Sequence, residues 1–194
     1  MSDVRHNIID IKNNIDKYLI NTPVLRFDFI DSLCNSEVYF KCENFQHTGS
    51  FKYRAALNAI KSIPNDFKKR GVITHSSGNF AHALSRASHE LNIPCYIIMP
   101  YNTPDFKKNS VFKYTNNIIE CEPNLSAREQ TTKTIMKEKN LFFLHPSNNM
   151  DVILGNSSCA SEFIKDYPNL DFIFSPIGGG GLIARTSIAI DYLS

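Results

Sequence analysis

The chain lacks an excess of either charge: 21 Lys+Arg against 19 Asp+Glu leave a formal net charge of +2 over 194 residues. Its one cationic cluster, Lys68-Lys69-Arg70, stands just ahead of a strand and reads as a solvated helix end. The basic stripe that nucleic-acid binding requires is therefore missing. No apolar run approaches a membrane span, and the N-terminus Met1-Ser-Asp-Val-Arg-His-Asn7 has no signal-peptide core. The cysteines do not pair. Cys34, Cys42, Cys95, Cys121 and Cys159 are odd in number and scattered, with neither Cys-x-x-Cys nor zinc-ligand spacing. They read as buried reduced thiols, which fits a reducing, cytoplasmic setting. There are no internal repeats and no low-complexity tracts. With 42% hydrophobic residues, the chain has enough apolar surface for a proper core, as one large domain or two small ones.

What is present is alternation. A polar amphipathic stretch from about Asn7 to Leu19 is followed by a strand at Glu37–Glu43. Ala56, Ile60 and Ile63 then share one helical face between Phe51 and Ile63. Strands are expected at Val72–Thr74, Cys95–Met99, Ile118–Cys121, Leu141–Leu144 and Asp171–Ile177. Helices fall between them, at Asn79–Leu91, Asp105–Tyr114, about Leu125–Lys139 and about Val152–Lys165, with a last one at Leu182–Ile190. This order predicts βαβ units, an α/β fold and a mainly parallel sheet. Ligands of such sheets sit where strands hand over to helices at their carboxyl ends.

Three turns are chemically equipped. In His47-Thr-Gly-Ser-Phe-Lys52, Ser50 is the expected N-cap and Lys52 falls in the first helical turn, where the dipole opposes a cation. A lysine there has a lowered pKa or an anionic partner, and both favour an imine-forming amine. His75-Ser-Ser-Gly-Asn79 supplies hydroxyl and amide groups around an open backbone, suited to a carboxylate or phenolate oxygen. Gly178 to Gly181 lead into an apolar helix, so backbone N–H groups and a positive dipole end gather where a phosphate fits. Gly179, Gly181 and Ala184 also match a dinucleotide fingerprint, but the chain ends before its acidic ribose ligand could appear. No glycine is followed by Lys-Ser or Lys-Thr, so a Walker-type loop is absent. His82 and His89 share a helix face without an evident third metal ligand, and His75 and His145 read as structural.

Taken together, the chain resembles the pyridoxal-phosphate enzymes of fold type II, nearest to the serine/threonine dehydratase and serine racemase branch. The resemblance rests on Asn21-Thr-Pro-Val-Leu25, Phe40-Lys-Cys-Glu-Asn-Phe-Gln46, Thr48-Gly-Ser-Phe-Lys-Tyr-Arg-Ala-Ala-Leu-Asn58 and Thr74-His-Ser-Ser-Gly-Asn79. It continues through Pro104-Asp-Phe-Lys-Lys108, Cys121-Glu-Pro123, His145-Pro146 and Gly178-Gly-Gly-Gly-Leu182. It implies Lys52 as the residue joined to pyridoxal 5'-phosphate and as acid/base at the substrate's Cα, with Phe51 beside the ring. Asn79 would bond the ring's phenolate oxygen, and Gly178, Gly179, Gly180, Gly181 and Leu182 would bind the phosphate. Ser76, Ser77, Gly78 and Asn79 would hold the amino acid, with Ser77 the base on the opposite face in a racemase.

The resemblance also implies a small domain at residues 53–146, and residues 1–52 and 147–194 as part of a larger cofactor domain. Relatives are longer than this chain, and the remainder normally carries the partner of the pyridine nitrogen and, in many, the ligands of a divalent cation. Phe80, Ala55 and Gly155-Asn-Ser157 depart from the family's usual residues. The expected activity is elimination of water from L-serine or L-threonine, with serine racemisation as a companion outcome, in a homodimer. A shortened, silent cofactor-binding relative and a β-replacement enzyme of the cysteine synthase type are the alternatives.

Overall fold

In a computed structural model describing residues 10, 11 and 13–193, Val24–Arg26 (β1) and Tyr39–Lys41 (β2) pair as an antiparallel hairpin. Val72–His75 (β3), Cys95–Pro100 (β4), Ile118–Cys121 (β5) and Phe142–Phe143 (β6) form a second, wholly parallel sheet in the order β5-β4-β3-β6. All four residues of β3 are buried, as expected for an interior strand with both faces covered. The helices Asn79–Glu90, Asp105–Phe112 and Leu125–Lys139 complete the crossovers, and the α/β expectation holds.

The helix that positions the site is Lys52–Ser62. Alanines and a leucine favour it, and it stops where Ile63 precedes Pro64, because a residue before proline is pushed out of helical geometry. Every residue from Tyr53 to Ile60 is buried, so the helix is a core element surrounded on all sides. It packs against Asn79–Glu90 and against a short helix, Met150–Gly155. A Cβ added at Gly155 would lie 2.7 Å from the Arg54 carbonyl oxygen and 2.8 Å from Ala55 Cα. Only glycine lets these two backbones approach so closely. Asn58 Nδ2 fastens the contact by donating to the Asp151 carbonyl at 2.8 Å.

The structure corrects several expectations. The helix expected at Val152–Lys165 is two helices, Met150–Gly155 and Ser157–Asp166, because the chain turns at Asn156 where Gly155 meets the Lys52–Ser62 helix. Asp171–Ile177 is not a strand. Among the described residues no neighbouring strand lies beside it, and Phe172, Phe174 and Ile177 stand 80%, 94% and 74% exposed while Ile173 packs on Ala160, Ile164 and Ala189. Ser50 does not cap the Lys52–Ser62 helix: the capping position is Phe51, and Ser50 Oγ is buried without a partner. Of the cysteines only Cys95 is fully buried, and Cys34 is exposed, because it falls on the helix Asp28–Cys34, which has no buried residue. That helix was not expected, being short and without a clear apolar period, whereas Asn65–Arg70 ends on Lys68-Lys69-Arg70, the cluster read as a helix end. The Asn7–Leu19 stretch lies partly outside the described residues; within them, 13–15 are helical and Asp16–Tyr18 is a 3-10 turn. His82 and His89 each lie 5.8 Å from the Tyr114 ring, as packing side chains. Among the described residues no helix is long and apolar enough to cross a membrane, and no three His, Cys, Asp or Glu side chains group to hold a metal.

Four charges lock the hairpin to this core. Arg54 is fully buried; its Nε donates to Glu43 Oε2 at 2.8 Å and its Nη1 to Glu162 Oε1 at 2.7 Å. Lys41 Nζ reaches Glu162 Oε2 at 2.9 Å and the Thr22 carbonyl at 2.8 Å. Thr22 Oγ1 donates to Glu43 Oε1 at 2.7 Å. Burial alone would raise the Glu162 pKa, but Arg54 and Lys41 hold it below the usual carboxylate range. A buried group with partners of opposite sign is costly to break, because the remaining charges stay buried unpaired.

Arg54→Ala will therefore lower unfolding free energy by about 3–5 kcal/mol at neutral pH, read by urea denaturation. A loss below about 1 kcal/mol, the range of exposed pairs, contradicts this account. Because the Glu162 pKa is depressed, its contribution is fully present above the unfolded value of about 4.3 and is lost as pH falls through the lower folded value. The acid-induced loss should accordingly shrink in Glu162→Gln.

Candidate active site

A cavity of about 270 Å³ opens where three helices begin. Lys52 is the first residue of Lys52–Ser62, Asn156 directly precedes Ser157–Asp166, and Gly181 starts Gly181–Leu193. Among the described residues the N–H groups of Gly178–Gly181 have no backbone partner, whereas those of Tyr53, Arg54, Asn156 and Cys159 bond to carbonyls. The starts of the Lys52 and Gly181 helices add positive dipole ends, and together these features favour an anion. The lining consists of Phe51 and Lys52, Pro146 and Ser147, Val152, Ile153 and Asn156, and Pro176 with Gly178–Leu182. Lys52 is the one charged residue among them.

The half-buried Lys52 ammonium donates to the Pro146 carbonyl at 3.3 Å and lies 5.1 Å over the Phe51 ring. No carboxylate faces it among the described ion pairs, and burial pushes its pKa below the usual lysine value. Of the two conditions a lysine in a first helical turn can meet, this one has the lowered pKa.

The glycine run takes its shape from two contacts. Gly180 has φ +79°, in the region that side chains rarely adopt, and a Cβ on Gly179 would come within 2.7 Å of Ser147 Cβ. Pro146 and Ser147 are themselves fixed by β6 and by His145, whose Nδ1 accepts from the N–H of Ser147 at 3.1 Å and of Asn148 at 2.8 Å. Packing between the loops following β6 and β3 is mediated by the His75 and His145 rings, 5.4 Å apart and edge to face.

Phe51, Lys52, Gly178, Gly179, Gly180, Gly181 and Leu182, expected to act together, thus line one cavity. Ser76, Ser77, Gly78 and Asn79 do not line it. They follow β3, with Ser76 N–H donating to the Ile98 carbonyl at 3.2 Å and Asn79 exposed at the start of its helix. Ser147, Ile153 and Asn156 were missed as lining residues. The Gly155-Asn-Ser157 departure was the available signal for Asn156, since a glycine inside an apolar helical period marks a close contact or a break. A second, shallower depression of about 330 Å³ lies at Asn21–Val24 and Asp166–Tyr167. It holds no amine or glycine N–H cluster.

The family described as "Pyridoxal-phosphate dependent enzyme" matches residues 15–191. The serine racemase of Dictyostelium discoideum is 40% identical over 188 residues, covering 97% of this chain and 58% of its own length. The beta-hydroxyaspartate dehydratase of Paracoccus denitrificans is 40% identical over 180 residues, covering 93% of this chain and 57% of its own. The crystal structure of the Dictyostelium discoideum serine racemase superposes with a TM-score of 0.93 at 40% identity, over 97% of this chain and 62% of that one. The chain therefore spans less than two thirds of the length of these relatives.

Because the pKa of Lys52 is lowered by burial, its amine will be neutral at lower pH than an ordinary lysine. Acylation followed residue by residue with mass spectrometry should place its titration below the ordinary value of about 10.4. A midpoint at or above that value would show that the cavity does not desolvate the amine.

Proposed function

Since the chain belongs to the pyridoxal-phosphate dependent enzyme family, we propose that it serves an amino-acid lyase or racemase acting on small hydroxy-amino acids. The reaction is α,β-elimination of water from L-serine or L-threonine to a 2-oxo acid and ammonia, with serine racemisation alongside it. The observation that carries this reading is that Lys52 and the glycine run Gly178–Gly181 line one cavity. The residues fit the cofactor. An amine without an anionic partner suits its aldehyde, and the loop's N–H groups, none bonded to other backbone among the described residues, suit its phosphate.

Lys52 would hold the cofactor covalently, and Gly178–Gly181 with Leu182 would grip its phosphate. When bound, pyridoxal phosphate supplies an electron sink for the charge left at the substrate's Cα. Lys52, with its lowered pKa, takes the Cα proton as general base. Phe51 covers the cavity wall beside it and helps exclude water. Ser76, Ser77 and Gly78 would bind the substrate carboxylate, Asn79 the ring's phenolate oxygen, and Ser77 would carry a proton on the opposite face when the product is the D-amino acid. The relatives named serine racemase and beta-hydroxyaspartate dehydratase support both outcomes. The same reading assigns residues 53–146 to a small domain, consistent with β3–β6 lying wholly within it, and 1–52 with 147–194 to a larger one. It also puts the protein in the cytoplasm, consistent with five unpaired cysteines, and takes it to be a homodimer.

A second reading, cofactor binding without turnover, draws on Ser76–Asn79 lying outside the cavity lining. One experiment separates the two. The protein is loaded with pyridoxal phosphate, its long-wavelength absorbance is recorded, and oxo acid and D-serine are measured after adding L-serine or L-threonine. The lyase or racemase reading expects a band that Lys52→Ala abolishes, and product from at least one substrate. A Lys52-dependent band without product leaves only the binding reading, and no band overturns both.

A further inference from the structure

Asn156 is 2% exposed, lines the Lys52 cavity, and has a buried Oδ1 without a hydrogen-bond partner. Its neighbours in kind behave differently. Asn149 Oδ1 accepts from the Val152 N–H at 3.0 Å and Asn124 Oδ1 from the Ala127 N–H at 2.8 Å, each capping the helix it precedes. Asn156 precedes the helix Ser157–Asp166 but makes no such cap. Its side chain turns instead toward the glycine loop, with Nδ2 3.3 Å from where a Cβ on Gly181 would sit.

Fully buried amides are ordinarily bonded, so a carboxamide in the cavity wall with an unbonded oxygen and its nitrogen turned to the glycine loop marks the place of a missing partner. The surroundings define that partner's charge. The helices beginning at Lys52 and Gly181 turn their positive ends there, Lys52 is the one charged lining residue, and no carboxylate lines the wall. The donor Nδ2 already stands on the glycine-loop side, so it can meet an anion there without the backbone moving.

We infer that Asn156 is an anion ligand, its side-chain amide donating to a phosphate group held by the Gly178–Leu182 loop. The inference rests on the proposed cofactor reading and extends it to a residue on a different helix. The close contact at Gly155 sets Asn156 in place. A phosphate seated here would join the glycine loop to the Met150–Gly155 and Ser157–Asp166 helices, so that binding braces three elements at once.

The test uses the whole chain and three variants, Asn156→Leu, Asn156→Asp and Asn156→Gln, with three probes: inorganic phosphate, pyridoxal phosphate and pyridoxal. Thermal shift reads phosphate, and absorbance titration reads the two aldehydes. A hydrogen bond to a charged group corresponds to roughly a ten- to hundredfold change in affinity. Asn156→Leu should weaken pyridoxal phosphate binding by about that factor, abolish the phosphate-induced shift, and leave pyridoxal within about twofold of wild type. Asn156→Asp should be weaker still, and Asn156→Gln, which keeps the amide, should stay closer to wild type. If Asn156→Asp fails to fold, the Leu and Gln pair decides.

Pyridoxal phosphate affinity in Asn156→Leu within about twofold of wild type overturns the inference. So does an equal loss of pyridoxal and pyridoxal phosphate, the mark of a purely structural role. A wild-type chain stabilised by phosphate through Asn156, yet giving no aldehyde band, keeps the anion site and sinks the lysine reading. A band that depends on Lys52 but not on Asn156 does the reverse, and a chain responding to none of the probes overturns both.

Discussion

The close approach of two backbones at Gly155 is the constraint on which the site depends. Any side chain there would collide with the Arg54 carbonyl and Ala55 Cα, both within 2.8 Å of the added atom. Because nothing intervenes, the helix beginning at Lys52 and the one ending at Gly155 stay in register, and the turn at Asn156 comes to face the same cavity as Lys52. Dense packing makes such a contact nearly all-or-none, since cores respond to even one added carbon. The fully buried Arg54, two residues beyond Lys52, closes the arrangement from the other side by tying it to Glu43 and Glu162.

Chemistry at the cavity follows from what the fold leaves unpaired. A helix start leaves N–H groups without intrahelical partners, and the glycine run leading into Gly181 presents its own here, unbonded to other backbone among the described residues. The same geometry that makes a cation unwelcome at Lys52 makes an anion welcome a few ångströms away. A lysine kept without a carboxylate and half buried has a more available lone pair, which is what a bond to an aldehyde requires. The opposed demands of a neutral amine and a bound phosphate are thus met by one set of helix ends.

Much of this was legible in the sequence. Ile118–Cys121 and Leu125–Lys139 have the bounds that their residue pattern suggested, because a short β-branched run and a long segment with an asparagine cap are self-announcing. Lys52 and Gly178–Gly181, which line one cavity, were legible as candidates since their local chemistry is unusual wherever it occurs. The break at Asn156 was not, because the reason for Gly155 lies in Arg54 and Ala55, far away along the chain. Asp171–Ile177 misled for a related reason: an apolar alternating run is a strand only if another strand pairs with it. The Ser76–Asn79 loop reads as a ligand loop in isolation, and which side chains line the cavity beside Lys52 is a property of how the loops after β3 and β6 are packed.

The central claim is spatial: a single cavity joins the Lys52 amine to a phosphate cradle. The most direct measurement is a crystal structure of the chain grown with pyridoxal phosphate. The account predicts unbroken density from Lys52 Nζ to the ligand ring, with the phosphate among the N–H groups of Gly178–Leu182 and beside Asn156. Density showing Lys52 still bonded to the Pro146 carbonyl, with the ligand attached to another lysine or its phosphate away from the glycine run, would contradict it.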